Sequence, residues 1–398
     1  MDNPSSPLKA FKREKSPELS KRYRAMLTIN LAEPKDTNGA FFLVESTLVP
    51  GTEPPPHVHS REDELFYVLE GAFDVYAGHE AFKVETGQCV FLPKFRPHGW
   101  IIRSPRLRVL ALFAPRGLEE AFRRGSAPAQ NLELPTEALT YPQADAEQTA
   151  QRFSEYGLRF LTADEITNEL PLFPKSVPAD KSRTDKLPFK THAPNKEKQL
   201  NQTPSPLKAF KRTESLGQSK WYMGTLMTNL AETKDTNGAF LLVQGTLVPG
   251  TEPPPHVHSR EDELFYVLEG EFDVYVGEDI FTVETGQCVF LPRLKPHAFI
   301  IRSPRIRLLT LVTPAGLEEV FRDMNTPAEK LEAPSRALTY SQADLNQTVQ
   351  RFTEYGVRIL NPEEVAEQMP LFPKPLISSM PGDLTTDQRV QAKSDAAT

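Results

Sequence analysis

Apolar and β-branched residues arrive in short runs separated by polar, glycine-bearing breaks. The first two, residues 25–31 and 41–49, predict a pair of strands. Between them KDTNG carries Asn38-Gly39, which suits a tight hairpin turn because both residues tolerate a left-handed backbone. Further runs at 65–69, 73–76, 81–84, 89–92, 100–102 and 107–113 are punctuated by Glu70-Gly71, Gly78-His79 and Thr86-Gly87. Many short strands joined by glycine turns predict a sandwich or barrel. Helical periodicity appears only afterwards, at 117–124, 144–156 and 163–170, and these short helices are expected outside the barrel.

The pattern then repeats. From position 7 to 175 each residue pairs with the one 199 further on without insertion: Phe11 with Phe210, His57 with His256, Tyr156 with Tyr355, Phe173 with Phe372. Such self-similarity means two copies of one domain. They are expected at 1–175 and 206–374, with a polar, proline-containing linker at 176–205 and a loose tail at 375–398. Divergence is uneven: positions 36–71 differ from their counterparts at three of 36 places, whereas 13–27 agree at only six of 15.

The best-kept stretch also carries the chemistry. His57 and His59 are two apart, so on a strand their imidazoles leave the same face. Glu64, five further on, has the wrong parity for a straight strand, so Ser60–Asp63 must bend or bulge to bring it inward. His98 offers a fourth ligand from a neighbouring strand. His256, His258, Glu263 and His297 repeat the set. Six of the eight histidines occupy these positions, leaving only His79 and His192 elsewhere. Glu62, Asp63, Glu261 and Asp262 are runner-up ligands, since a solvated charged bend explains them adequately.

In these residues the chain resembles the cupin superfamily. Gly51, His57, His59, Glu64 and Gly71 fit its first motif, and Gly87, Pro93 and His98 fit its second. Phe95 stands where that family has a second glycine and Ile102 where it has asparagine; Leu294 and Ile301 repeat both departures. The resemblance implies two tandem jelly-roll β-barrels, a bicupin, each with short peripheral helices towards its C-terminal end. It also implies one divalent transition metal per domain.

Imidazole and carboxylate without thiolate suit iron, manganese, nickel, copper or zinc. Three neutral imidazoles and one carboxylate leave a divalent ion one uncompensated positive charge, which favours an anionic or enolisable substrate. Phe66 and Val68 should follow Glu64 inward and make the cavity apolar, as an aromatic or polyketide-like substrate requires. The copies differ beside the last histidine, where Gly99-Trp100 becomes Ala298-Phe299 and Phe95 becomes Leu294, so two pockets of unlike size are expected. Resemblance to bicupins of the quercetin dioxygenase type implies a dioxygenase, with Glu64 or Glu263 serving as ligand and base. A metal-dependent isomerase or cyclase is the alternative, and a storage or binding protein a further one.

Composition narrows the partners. The net charge of −7 comes from intermixed acids and bases, with no basic face for a nucleic acid. No run has signal-peptide character or the roughly 20 apolar residues of a bilayer span, so a cytoplasmic monomer or homodimer acting on a small molecule, with or without dioxygen, is expected. Cys89 and Cys288, at matching places in GQCVFLP, read as buried free thiols. The repeated SPLKAFKR, at 6–13 and at 205–212, reads as a basic arm along a neighbouring barrel edge, anchored by Phe11 or Phe210.

Overall fold

The computed structural model describes residues 8–23, 26–134, 143–175, 207–322, 325–333 and 342–373. The expected linker and tail lie outside them, as does His192. In the first half the strands are β1 (Phe11–Arg13), β2 (Ser20–Tyr23), β3 (Met26–Ala32), β4 (Phe42–Leu48), β5 (His57–His59), β6 (Asp63–Glu70), β7 (Ala72–Ala77), β8 (Glu80–Glu85), β9 (Gln88–Leu92), β10 (His98–Ile102) and β11 (Leu107–Ala114). They are followed by α1 (Glu119–Gly125), β12 (Ala127–Pro128), α2 (Gln143–Glu155), β13 (Leu158–Phe160) and α3 (Ala163–Glu169). β14 (Phe210–Thr213) opens the second half, which repeats the plan.

Each half is a two-layer barrel. An eight-stranded sheet in the order β12-β2-β3-β4-β11-β6-β9-β14 faces a five-stranded sheet in the order β13-β5-β10-β7-β8. Phe66, Val68, Phe73, Val75, Trp100 and Val109 fill the space between them. The turn at Asn38-Gly39 is broader than a two-residue hairpin. In the second half its counterpart is a four-residue helix, Thr233–Thr236, closed by left-handed Asn237 at φ 51°. Asparagine serves there as a helix cap rather than a hairpin corner.

The eight-stranded sheets are covered on both faces. Leu65 and Tyr67, alternating with the inward Phe66 and Val68, point away from the first barrel and join Leu264, Tyr266, Phe240 and Phe290 of the second half in one apolar layer. A tyrosine hydroxyl from each half bonds across it: Tyr67 OH donates to Gln244 Oε1 at 2.8 Å, and Tyr266 OH donates to Glu45 Oε2 at 3.0 Å. Burial pushes both phenol pKa values up, so both remain donors.

The arms are exchanged between halves. β1 pairs antiparallel with the second-half strand Cys288–Leu291, and β14 pairs with β9. Phe11 stacks on Phe290, and Phe210 on Phe91, each at 5.2 Å between ring centroids. Each eight-stranded sheet therefore takes one edge strand from the opposite half, where the sequence had suggested only a neighbouring edge. Removing either ring should loosen the barrel that receives it. Phe210→Ala is expected to lower unfolding free energy by about 2 kcal/mol, the worth of one large apolar side chain, measurable by denaturant titration.

Cys89 and Cys288 are fully buried at this interface, their Sγ atoms 3.9 Å from Leu230 O and Leu31 O of the opposite halves. Burial pushes both thiols up to about 12. Neither should react with a disulfide reagent at pH 8 in the native protein, and both should react in guanidinium; a reactive native thiol would contradict the packing.

Candidate metal centre

β5 is only three residues long, and its two ends, His57 and His59, are buried while Val58 between them is partly exposed. Alternation thus sends both imidazoles into the barrel. His98 opens β10 directly opposite His57 in the antiparallel pair. Glu64 comes from the other sheet: the chain bends at Ser60 and Arg61 and enters β6 at Asp63. The parity mismatch is resolved by crossing from one sheet to the other, with no bulge inside a strand.

The crossing is held by Phe95 N donating to His59 O at 2.7 Å and Ser60 N donating to Gly157 O at 2.8 Å. Phe95 adopts φ 62° and Leu294 φ 64°, the left-handed backbone that glycine would supply. The departure from the cupin motif is therefore one of side chain and not of backbone. Leu294 is 68% exposed, and Phe95 does not line the first-half cavity, so this position does not size the pockets as the sequence suggested.

One ligand atom from each of His57, His59, Glu64 and His98 lies within 4.8 Å of the others, and the same holds for His256, His258, Glu263 and His297. Nε2 of His57 and Nε2 of His98 are 3.1 Å apart, and Glu64 Oε2 is 3.3 Å from His98 Nε2 and 3.6 Å from His59 Nε2. In the second half His297 Nε2 is 3.5 Å from Glu263 Oε2. Atoms about 2.1 Å from one ion and at right angles to each other would be about 3 Å apart, so the spacing suits a shared cation.

The partners of the remote ring nitrogens support this. Nδ1 of His57 faces Pro55 O at 2.8 Å, and Nδ1 of His98 faces Arg96 O at 2.9 Å. A carbonyl only accepts, so each Nδ1 carries the proton and each Nε2 presents a lone pair. Two lone pairs 3.1 Å apart are not a hydrogen bond; a cation between them makes both favourable. Nδ1 of His256 and His297 face Pro254 O and Lys295 O at 2.9 and 3.1 Å. Burial, reinforced by the adjoining histidines, holds His57 and His256 well below the usual imidazole range, hence neutral and able to ligate.

The alternative ligands take other work. Glu62 and Glu261 face Nδ1 of His59 and His258, on the far side of each ring from the centre, at 3.5 and 3.4 Å. Asp63 accepts from Lys94 N at 2.8 Å, and Asp262 from Arg293 N at 2.8 Å and Nη2 at 2.7 Å. Both aspartates brace the loop that precedes the last histidine.

Beside the first centre lies a cavity of about 100 Å³ walled by Phe66, Trp100, Phe113, Phe122, Phe153 and Phe160. Phe66 is inward as expected, and Val68 is buried in the same core without reaching the cavity. Trp100, singled out from the comparison of the two copies, also lines the cavity, whereas Phe113, Phe122, Phe153 and Phe160 were not identified from the sequence. Phe122 and Phe153 come from α1 and α2, which therefore close the barrel's mouth as well as flanking it. Phe113 and Phe160 approach His59 and His57 at 6.0 and 6.2 Å between ring centroids. Their second-half counterparts are Val312 and Ile359, a difference that comparing the two copies would have exposed.

A model for the Cupin domain (Cupin_2) matches residues 44–114 and again 243–313. Quercetin 2,3-dioxygenase of Bacillus subtilis (strain 168) is 22% identical over 299 residues, covering 75% of this chain and 81% of that protein. Quercetin 2,3-dioxygenase of Aspergillus japonicus is 27% identical over 117 residues, 28% of this chain and 29% of the relative. Among solved structures, oxalate decarboxylase from Bacillus subtilis at pH 4.6 aligns at 18% identity with a TM-score of 0.47, covering 76% of each chain. With two matched domains, each holding three histidines and a glutamate around one centre, the chain is a bicupin distantly related to quercetin 2,3-dioxygenase.

Proposed function

We propose that the protein is a metal-dependent dioxygenase acting on a small aromatic, phenolic or polyketide-like molecule that coordinates the metal. The observation that carries this reading is the ring of aromatic walls beside the first centre, two of them edging its ligand histidines. A flat conjugated substrate would pack against such walls, which also keep water out. The distant likeness to quercetin 2,3-dioxygenases supports it. A divalent transition ion held by the four ligands would supply Lewis acidity and, if redox-active, a route for electrons to dioxygen.

The remaining work falls to this chain's own groups. Glu64 is 4% exposed; ligating through one oxygen, it would offer the other to take the proton from a substrate hydroxyl. Thr28, Asn30 and Ser46 are among the polar residues of the cavity wall away from the ligands, and they would orient the substrate's oxygens. Glu263 has the same place in the second half.

A non-redox reading has one observation in its favour. About 100 Å³ is well below the roughly 300 Å³ of ordinary small-molecule sites. A smaller enolisable substrate would enter without rearrangement, and isomerisation or cyclisation on a Lewis acid would then need no oxygen.

Metal analysis tests the foundation: His57→Ala and His256→Ala should each retain about half of the wild-type metal, and a full complement in either would remove that residue from the ligand set. Oxygen uptake tests the chemistry. Turnover of a phenolic or enolic substrate should consume dioxygen, and Glu64→Gln in a His256→Ala background should lower kcat about 10²- to 10⁴-fold, the usual worth of a positioned base. Turnover without oxygen uptake would move the assignment to the non-redox reading.

A further inference from the structure

Each centre contains one histidine unlike the other two. Nδ1 of His57 and His98 rests on neutral backbone carbonyls, whereas Nδ1 of His59 faces the carboxylate of Glu62. The second half repeats the distinction: carbonyls for His256 and His297, and Glu261 for His258.

Glu62 is 0% exposed. Neither of its oxygens has a hydrogen-bond partner among the described residues, and the ion pair it makes is with His59 Nδ1 at 3.5 Å. Its neighbours do not share this condition: Asp63 accepts from Lys94 N, and Glu119 accepts from Gly117 N at 2.9 Å. Space is kept for the Glu62 carboxylate by Gly117, where an added Cβ would fall 1.7 Å from Oε1. A buried carboxylate without donors is costly unless positive charge compensates it. The compensation available is a cation on the far nitrogen of the same imidazole. A divalent ion carries two positive charges, and Glu64 and Glu62 carry one negative charge each, so the buried cluster as a whole is neutral.

We propose that Glu62 and Glu261 are positioning residues that hold His59 and His258 through Nδ1, raise the donor strength of Nε2, and balance the charge of the bound ion. This rests on the metal-centre reading and deepens it. One imidazole per centre becomes the strongest nitrogen donor, and the site's preference for an anionic substrate is weaker than the four ligands alone imply.

The test uses Co(II) as the probe, on full-length protein carrying His256→Ala so that only the first centre reports. Affinity is read by competition with a chelator, and the ligand-field spectrum is recorded alongside. Glu62→Gln keeps the shape and removes the charge; it should weaken Co(II) binding about 10- to 100-fold, the usual effect of losing such a partner, and shift the visible bands. Gly117→Ala displaces the carboxylate without deleting it and should weaken binding in the same direction. Glu261→Gln with His57→Ala should repeat the result in the second half. Affinity and spectrum unchanged in folded Glu62→Gln would overturn the proposal and leave Glu62 a packing residue. Failure of the His256→Ala parent to bind Co(II) would instead overturn the metal-centre reading on which it rests.

Discussion

Two imidazole lone pairs facing each other at 3.1 Å on buried rings inside a barrel are a liability that a positive charge between them removes. That constraint organises each half. The two sheets must approach closely enough for β5 and β10 to bring histidines together while β6, from the opposite sheet, delivers a carboxylate to the same point. Backbone carbonyls two residues before His57 and His98 fix their tautomers, so a local feature of the chain decides which nitrogen faces inward. The left-handed turns at Phe95 and Leu294 then tie each loop to the carbonyl of the second histidine, His59 or His258.

Divergence between the halves has spared this geometry and changed what surrounds it. Ring-centroid separations among the three histidines are 5.1, 4.4 and 5.3 Å in the first half and 5.1, 4.4 and 5.4 Å in the second. The interface is less symmetric. Glu45 takes Tyr266, Arg108 and Lys15, whereas its counterpart Gln244 takes Tyr67, and Arg307 lies 3.9 Å from Glu214, the counterpart of Lys15. An acid in the sheet with a base in the loop has become a neutral amide with an acid in the loop, and each arginine keeps a carboxylate nearby.

Much of this was legible in the sequence because it depends on local pattern. The run at 107–113 became a strand of nearly those bounds, and the HxH spacing placed two ligands on one face because a strand has a period of two. What escaped depends on partners far along the chain. Phe11–Arg13 shows no alternation and is a strand only because an edge of the other half receives it. The bend before Glu64 was expected, but its passage from one sheet to the other was not, because spacing alone cannot tell such a crossing from a bulge. The covering of β6 on both faces did leave a trace: ELFYVLE is apolar through its middle where a half-exposed strand would alternate.

The swapped arms bear on how such a chain can be divided. A polypeptide ending after the first half would carry an arm with no sheet to join, a sheet with one unfinished margin, and an oily outer surface open to solvent. Two such fragments could assemble only by repeating the exchange in trans, and that would pair like with like. Fusion in one chain enforces the pairing of unlike halves, so a change in either pocket is inherited with the scaffold of the other.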